Sequence, residues 1–285
     1  MNLLLLDAHE LDPSGRAVLL DRRAEHAIRV LKAAPGDRLR AGILGAGQGT
    51  ALVLDAGDGR LQVEVRADPS PAPEPEVDLV VGLPRPQVLH RGVQFSASMG
   101  VGSLFLVNAW RVEKSYFQSP AASPDKLLHH ARLGAEQGMT TWLPRIFLEP
   151  LLVPFVRRLQ TFAPERRLLA HPDVGRPIEQ VVADFENARD CAVTDTAGDD
   201  AARAGPEGGT AMGPEGGAGG AQPRWILAIG PEGGWIDREV ETLTGAGFRS
   251  FDLGPRILRV EAALVAALAQ LRLARRMLCS QVSKS

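Results

Sequence analysis

Gly230-Pro231-Glu232-Gly233-Gly234 directly follows the apolar run Trp225–Ile229, and a helical pattern opens just after it at Asp237, with Glu239 and Glu241 in its first turn. Glycine at the carboxyl end of a strand lets the main chain approach a ligand, and the amides at the start of the next helix are free to donate. In open parallel sheets, ligands bind at this edge. The same arrangement recurs at Phe251–Glu261, where Leu253-Gly254-Pro255-Arg256-Ile257-Leu258-Arg259 follows a short strand and leads into a long apolar helix. Two such loops side by side can enclose a nucleoside-like ligand. Two further copies of Pro-Glu-Gly-Gly, at 206–209 and 214–217, lack both the strand and the helix and are set aside.

Other chemistries have weaker signals. Gly45-Ala46-Gly47-Gln48-Gly49 precedes a β-type run, whereas a dinucleotide fingerprint opens a helix. His129 and His130 are adjacent on a helix and point about 100° apart, a poor metal pair. No serine has a nucleophile-elbow setting. The only cysteines, Cys191 and Cys279, are too far apart to suggest a disulfide framework or a cysteine metal site. Aromatics are 5% of the 285 residues, too few for base stacking to be the main device. No apolar run approaches the roughly 18 residues of a membrane span, and Leu3–Leu6 is too short for a signal-peptide core. The expectation is a soluble, cytoplasmic protein that holds no metal and meets no membrane.

These loops need a scaffold. Four prolines between Ala67 and Glu76 read as an extended linker. Before it, Ala41–Leu44, Thr50–Leu54 and Leu61–Val65 are short β-type runs, and Arg22–Lys32 has helical spacing. After it, strands are expected at Asp78–Leu83, Leu104–Val107, Arg167–Ala170, Cys191–Thr194, Trp225–Ile229 and Ser250–Leu253. Helices are expected at Val88–Met99, Pro124–Gln137, Pro150–Leu159, Asp237–Ala246 and Val260–Leu278. Such alternation predicts an α/β fold with a mostly parallel sheet. The domains are therefore 1–68, a linker at 69–77, and 78–285, with a glycine- and alanine-rich insertion at 196–223 that cannot bury enough apolar surface to order itself.

The net charge of −2 is uneven, positive over 77–150 and 223–285 and negative elsewhere. Nearly all basic residues are arginine, whose fork suits phosphate and base edges, although a GC-rich genome gives the same bias. Charge alone neither requires nor excludes a nucleic-acid partner.

Taken together, Gly230–Gly234 and Leu253-Gly254-Pro255-Arg256-Ile257-Leu258-Arg259 with Glu261 resemble the paired motifs of the 16S rRNA (uracil-N3-)methyltransferase family of the SPOUT superfamily. Supporting elements are His26–Lys32 with Gly36-Asp37, Arg111–Ser115, Glu136-Gln137 and Leu169-Ala170-His171-Pro172. The resemblance implies a small N-terminal PUA-like β-barrel that binds RNA, a C-terminal SPOUT domain with a trefoil knot, and a homodimer. It implies S-adenosyl-L-methionine as cofactor and one uridine of the small-subunit 16S rRNA as target. Cofactor contacts would fall on Ala170, His171, Pro172, Ile229, Gly230, Gly233, Leu253, Gly254, Arg256, Ile257 and Leu258.

Methylating N3 of uracil requires removing its proton and stabilising the resulting anion. Arg259 and Arg111 are the candidates for the anion, Glu232 and Glu261 for the proton. Arg22, Arg23, Arg29 and Lys32 share one helical stretch and are candidates to touch RNA phosphate. Three positions depart from the family pattern, at Ser98, Ala262 and Gly138. They leave open the alternative of a non-catalytic RNA-binding protein on the same scaffold.

Overall fold

A computed structural model describes residues 2–162, 166–172, 174–192 and 224–282. The insertion expected at 196–223 lies outside these residues.

The first unit is a five-stranded sheet, β1 (Leu4–Leu6), β2 (Arg16–Leu19), β3 (Arg38–Ile43), β4 (Gln48–Gly57) and β5 (Arg60–Ala67), in the order β1-β3-β4-β5-β2. β1 runs parallel to β3, and the other pairs are antiparallel. Alternation places Leu61, Val63 and Val65 of β5 in the core beside Ala51 and Val53 of β4. Helix α1 (Arg22–Arg29) packs Ala24 and Ala27 against them, and the Asp21 side chain caps it by accepting the Arg23 amide at 2.9 Å. The helix stops at Arg29 instead of continuing to Lys32, because Lys32 takes a left-handed φ of 55°. The leucines around β1 divide: Leu4 and Leu6 enter this core, while Leu3 and Leu5 enter the core of the second unit.

The second unit is an all-parallel six-stranded sheet. Its strands are β6 (Val77–Gly82), β7 (Ser103–Val107), β8 (Arg145–Glu149), β9 (Arg166–Ala170), β10 (Trp225–Ile229) and β11 (Phe248–Phe251), in the order β11-β9-β10-β6-β7-β8. Covering helices are α2 (Pro86–Ser98), α3 (Lys114–Phe117), α4 (Pro124–Gly138), α5 (Leu152–Phe162), α6 (Ile178–Ala192), α7 (Asp237–Gly245) and α8 (Val260–Val282). Continuous apolar runs such as Trp225–Ile229 are buried along their whole length, as cover on both faces requires. Among the described residues no helix is long and apolar enough to cross a membrane.

One expected strand is corrected. Cys191 and Ala192 close helix α6, whose apolar residues Ile178, Val181 and Val182 recur at helical spacing and are buried; Thr194 lies outside the described residues. Strands β1, β2 and β8 were not expected; all are short, and β2 and β8 open on an arginine.

The departures at Ser98 and Gly138 meet at one place, the crossing of α2 and α4. A methyl group at Gly134 would fall on the Gln94 carbonyl oxygen, and one at Gly138 would stand 2.5 Å from the Ser98 Cα. Glycines four residues apart make one bare stripe on α4, and α2 rests on it backbone to backbone. These two departures are packing features of this crossing. Gly138→Ala forces the helices apart and should cost about 2 kcal/mol, measured by denaturant unfolding. Ala262, the third departure, is exposed in the first turn of α8.

Candidate functional site

The three strands at one end of the sheet, β11, β9 and β10, end in loops that converge. β9 lies between β11 and β10, with Phe251 opposite Ala170 and Ala228 opposite Leu169. The loops after them are therefore neighbours at the carboxyl edge. The His171 amide donates to the Phe251 carbonyl at 2.9 Å, and the Asp252 amide donates to the Arg176 carbonyl at 2.9 Å. Gly234 turns with φ 73°, closed by its amide on the Pro231 carbonyl at 2.8 Å. Gly254 has φ 107°, accepts no strain for lack of a Cβ, and faces open space: an added Cβ there meets nothing within 4 Å. Its amide is held by Asp252 Oδ1 at 3.0 Å.

All the candidate cofactor residues, Ala170, His171, Pro172, Ile229, Gly230, Gly233, Leu253, Gly254, Arg256, Ile257 and Leu258, thus stand on this one edge. Ile229 is buried at the strand end, whereas Ile257 projects almost fully into solvent. His171 directs Nδ1 to the Pro172 carbonyl at 2.8 Å, so its ring braces its own loop.

One candidate catalytic side chain reaches the glycine loop from elsewhere, and another reaches out from it. Arg111, in the turn after β7, donates to the Gly233 carbonyl, and its Cδ would lie 2.9 Å from any Cβ at Gly233. Glycine at 233 therefore gives Arg111 its place. Glu232 Oε1 accepts the Arg85 amide at 2.9 Å, which satisfies a free donor where α2 begins. Arg259 is exposed at the N-terminus of α8, its carbonyl accepting the Ala263 amide at 2.8 Å. Glu261 is half-buried in the first turn of α8. No ion pair joins Arg259 to Glu261 among the described residues.

The candidate phosphate contacts are not brought to this edge. They lie on α1 and just beyond it, and one of them is corrected. Arg23 is 5% exposed, with its guanidinium divided among Glu10, Asp21 and the Leu5 carbonyl. A fork so committed has no donor left for phosphate. Arg22 also has a partner, the buried carboxylate of Glu136 on α4, which it meets bidentately. Arg29 and Lys32 are exposed, with Arg29 forming an i,i+4 pair with Glu25 on the surface.

Three residues of the site were missed from sequence. Gly82 ends β6 against the glycine loop: a Cβ there would stand 2.6 Å from the Pro231 nitrogen. Glu239 is buried and accepts the Ile236 amide at 3.0 Å and the Trp110 amide at 2.7 Å, joining α7 to the turn after β7. Trp110 is 80% exposed. Gly82 was findable as the glycine that closes an apolar strand, but nothing in the sequence pairs Glu239 with Trp110.

The fold and site define a class, parallel α/β proteins with a ligand edge built from glycine loops. The model for an RNA methyltransferase domain matches residues 71–219 and 216–272 of the chain. A ribosomal RNA small subunit methyltransferase E from Treponema pallidum is 30% identical over 272 residues, covering 94% of this chain and 90% of that protein. A ribosomal RNA small subunit methyltransferase E 1 from Borreliella burgdorferi is 22% identical, covering 94% and 95%. The structure of the Neisseria gonorrhoeae ribosomal RNA small subunit methyltransferase E bound to S-adenosyl methionine superposes with a TM-score of 0.66 at 19% identity, covering 96% of this chain and 97% of that one. The chain belongs to the RNA methyltransferase domain family.

Proposed function

We propose that this protein transfers a methyl group from S-adenosyl-L-methionine to N3 of one uridine in the 16S rRNA of the small ribosomal subunit. The observation that carries this reading is the convergence of loops 171–177, 230–234 and 252–259 at one sheet edge. That edge offers main-chain amides and, at Gly254, an approach no side chain blocks. Relatives named as ribosomal RNA small subunit methyltransferases and matched over nearly the whole chain support it.

The cofactor would be held by the main chain around Ala170–Pro172, Ile229–Gly233 and Leu253–Leu258, and when bound it supplies an already activated methyl group. Uracil N3 carries a proton, so the protein's part is to remove it and to steady the charge left on N3 and the flanking oxygens. Arg259 and Arg111, both exposed, would donate to those oxygens. Glu261 would take the proton, since Glu232 already receives the Arg85 amide. The Glu261 carboxylate would receive the N3 proton as the methyl group is taken up at N3. Arg29 and Lys32 remain candidates for phosphate contact.

The same reading assigns residues 1–68 to a PUA-like RNA-binding barrel, 69–77 to a linker and 78–285 to a SPOUT methyltransferase domain. It includes a cytoplasmic homodimer and a C-terminal trefoil knot. Strand order supports the knot, since β10 is inserted between β6 and β9 and the later β11 returns to the far side of β9.

Calorimetric titration with S-adenosylmethionine, without RNA, tests the cofactor site. Binding near one per subunit is expected, and its absence from well-folded protein would count against the reading. Arg259→Lys keeps the charge but loses the planar fork, and should slow methyl transfer to unmodified small subunits at least tenfold with cofactor affinity within threefold. Unchanged turnover removes Arg259 from the mechanism.

A further inference from the structure

Beside the glycine loop runs a groove of about 530 Å³ between the turn after β7, the start of α5 and the face of α7. Its walls are apolar and open to solvent: Trp110 is 80% exposed, Leu151 62% and Val153 44%. A lone exposed leucine is ordinary, but an indole left in water beside two aliphatic side chains is not. The main chain that carries the indole is held in place. The turn carrying it is closed by the Val112 amide on the Ala109 carbonyl at 2.9 Å, and the Trp110 amide is fixed by Glu239 at 2.7 Å. The next residue, Arg111, is anchored on Gly233 of the glycine loop.

Charge decides what such a groove accepts. Lys114 and Arg238 line it, both exposed and neither in an ion pair among the described residues. The one carboxylate among its lining residues is Glu239, and both of its oxygens already accept main-chain amides. An exposed aromatic face on a fixed turn, with two cations and its one carboxylate already taken up by main-chain amides, suits a flat apolar ring joined to a phosphate chain.

We infer that this groove holds an unstacked RNA base on the Trp110 indole, with the flanking phosphates on Lys114 and Arg238. The inference rests on the RNA-methylating reading and adds to it a platform that positions the strand next to the glycine loop. Trp110 is a positioning residue: it grips the RNA and takes no part in the chemistry.

The test uses the whole protein and unmethylated 16S rRNA transcribed in vitro. Trp225 and Trp235 are buried and Trp142 is half-buried, so RNA should quench mainly the emission of Trp110, the most exposed of the four, read in a Trp142→Phe background. Trp110→Ala should weaken RNA binding about tenfold and raise KM for RNA with kcat little changed, and Trp110→Phe should recover affinity to within threefold of the wild type. Affinity for S-adenosylmethionine should stay within twofold, which also reports that the variant is folded. Equal RNA affinity in Trp110→Ala overturns the inference. So does dissociation of a dimer by Trp110→Ala in sedimentation velocity, which would make the groove an interface between copies, and so does failure of the wild type to bind the transcript. Binding through Trp110 without any methyl transfer would instead sink the catalytic reading and leave the platform standing.

Discussion

Gly82→Ala is expected to weaken S-adenosylmethionine binding at least tenfold although residue 82 belongs to none of the three convergent loops. Its added methyl would stand 2.6 Å from the Pro231 nitrogen and press on the Pro231 ring. Neither neighbour yields easily, because Pro231 is buried and its ring fixes the backbone. The preceding Gly230 is also tight, with space of only 3.2 Å between a Cβ position and the Gly234 Cα or the Trp235 nitrogen. The loop must therefore lift away from β6 as a unit, carrying Gly233 and the carbonyl that holds Arg111. Calorimetry on the variant, with circular dichroism to show that the sheet survives, checks this. Affinity within twofold of the wild type would mean that the loop does not set the cofactor site.

The second large effect is on stability. Arg23→Ala should cost about 3 kcal/mol, because it leaves the buried Leu5 carbonyl and the half-buried Glu10 carboxylate without the guanidinium that satisfies them. Arg23 Nε donates to Asp21 Oδ2 at 2.9 Å, and one terminal nitrogen donates to the Leu5 carbonyl at 2.8 Å and to Glu10 Oε2 at 3.0 Å. Burial alone would raise the pKa of Glu10 and of Asp21, but the hydrogen bonds and charge of Arg23 outweigh it and hold both below their ordinary values. Carboxyls with lowered folded-state pKa stabilise the protein above their unfolded values, and this contribution is lost as pH falls through the folded ones. Acidification below about pH 4.5 should therefore destabilise the wild type more steeply than Arg23→Ala, as urea unfolding across the acid range will show. Parallel pH profiles would dissociate Arg23 from the two carboxyls.

Arg23 also shows where reading the sequence stops. A cation on an amphipathic helix is normally a solvated one, and the residues that enclose it, Glu10 and Leu5, lie on elements whose packing no local pattern reports. By contrast, Trp225–Ile229 was legible to the residue, since five consecutive apolar residues bounded by charge and glycine fit only a strand covered on both faces. The glycine loops were legible for a related reason: their meaning comes from the strand before and the helix after. Helix α6 and strand β8 were not, because short or charge-interrupted runs acquire their form from neighbours. Ser98 and Gly138, departures from the family pattern that lie far apart in sequence, come together only at the crossing of α2 with α4.

The divided leucines at the amino terminus bear on how the molecule moves. Leu4 and Leu6 belong to one core, Leu3 and Leu5 to the other. The amides of Asn2 and Leu3 are also fastened to the Glu136 carbonyl at 3.3 and 3.1 Å. A strand of three residues cannot serve two cores and leave them free to swing, so the proline-rich stretch after β5 is no hinge. Heat should melt both sheets in a single transition, and a deletion confined to the first six residues should loosen the entire chain. The separation between the exposed cations at the end of α1 and the glycine edge is then a fixed length.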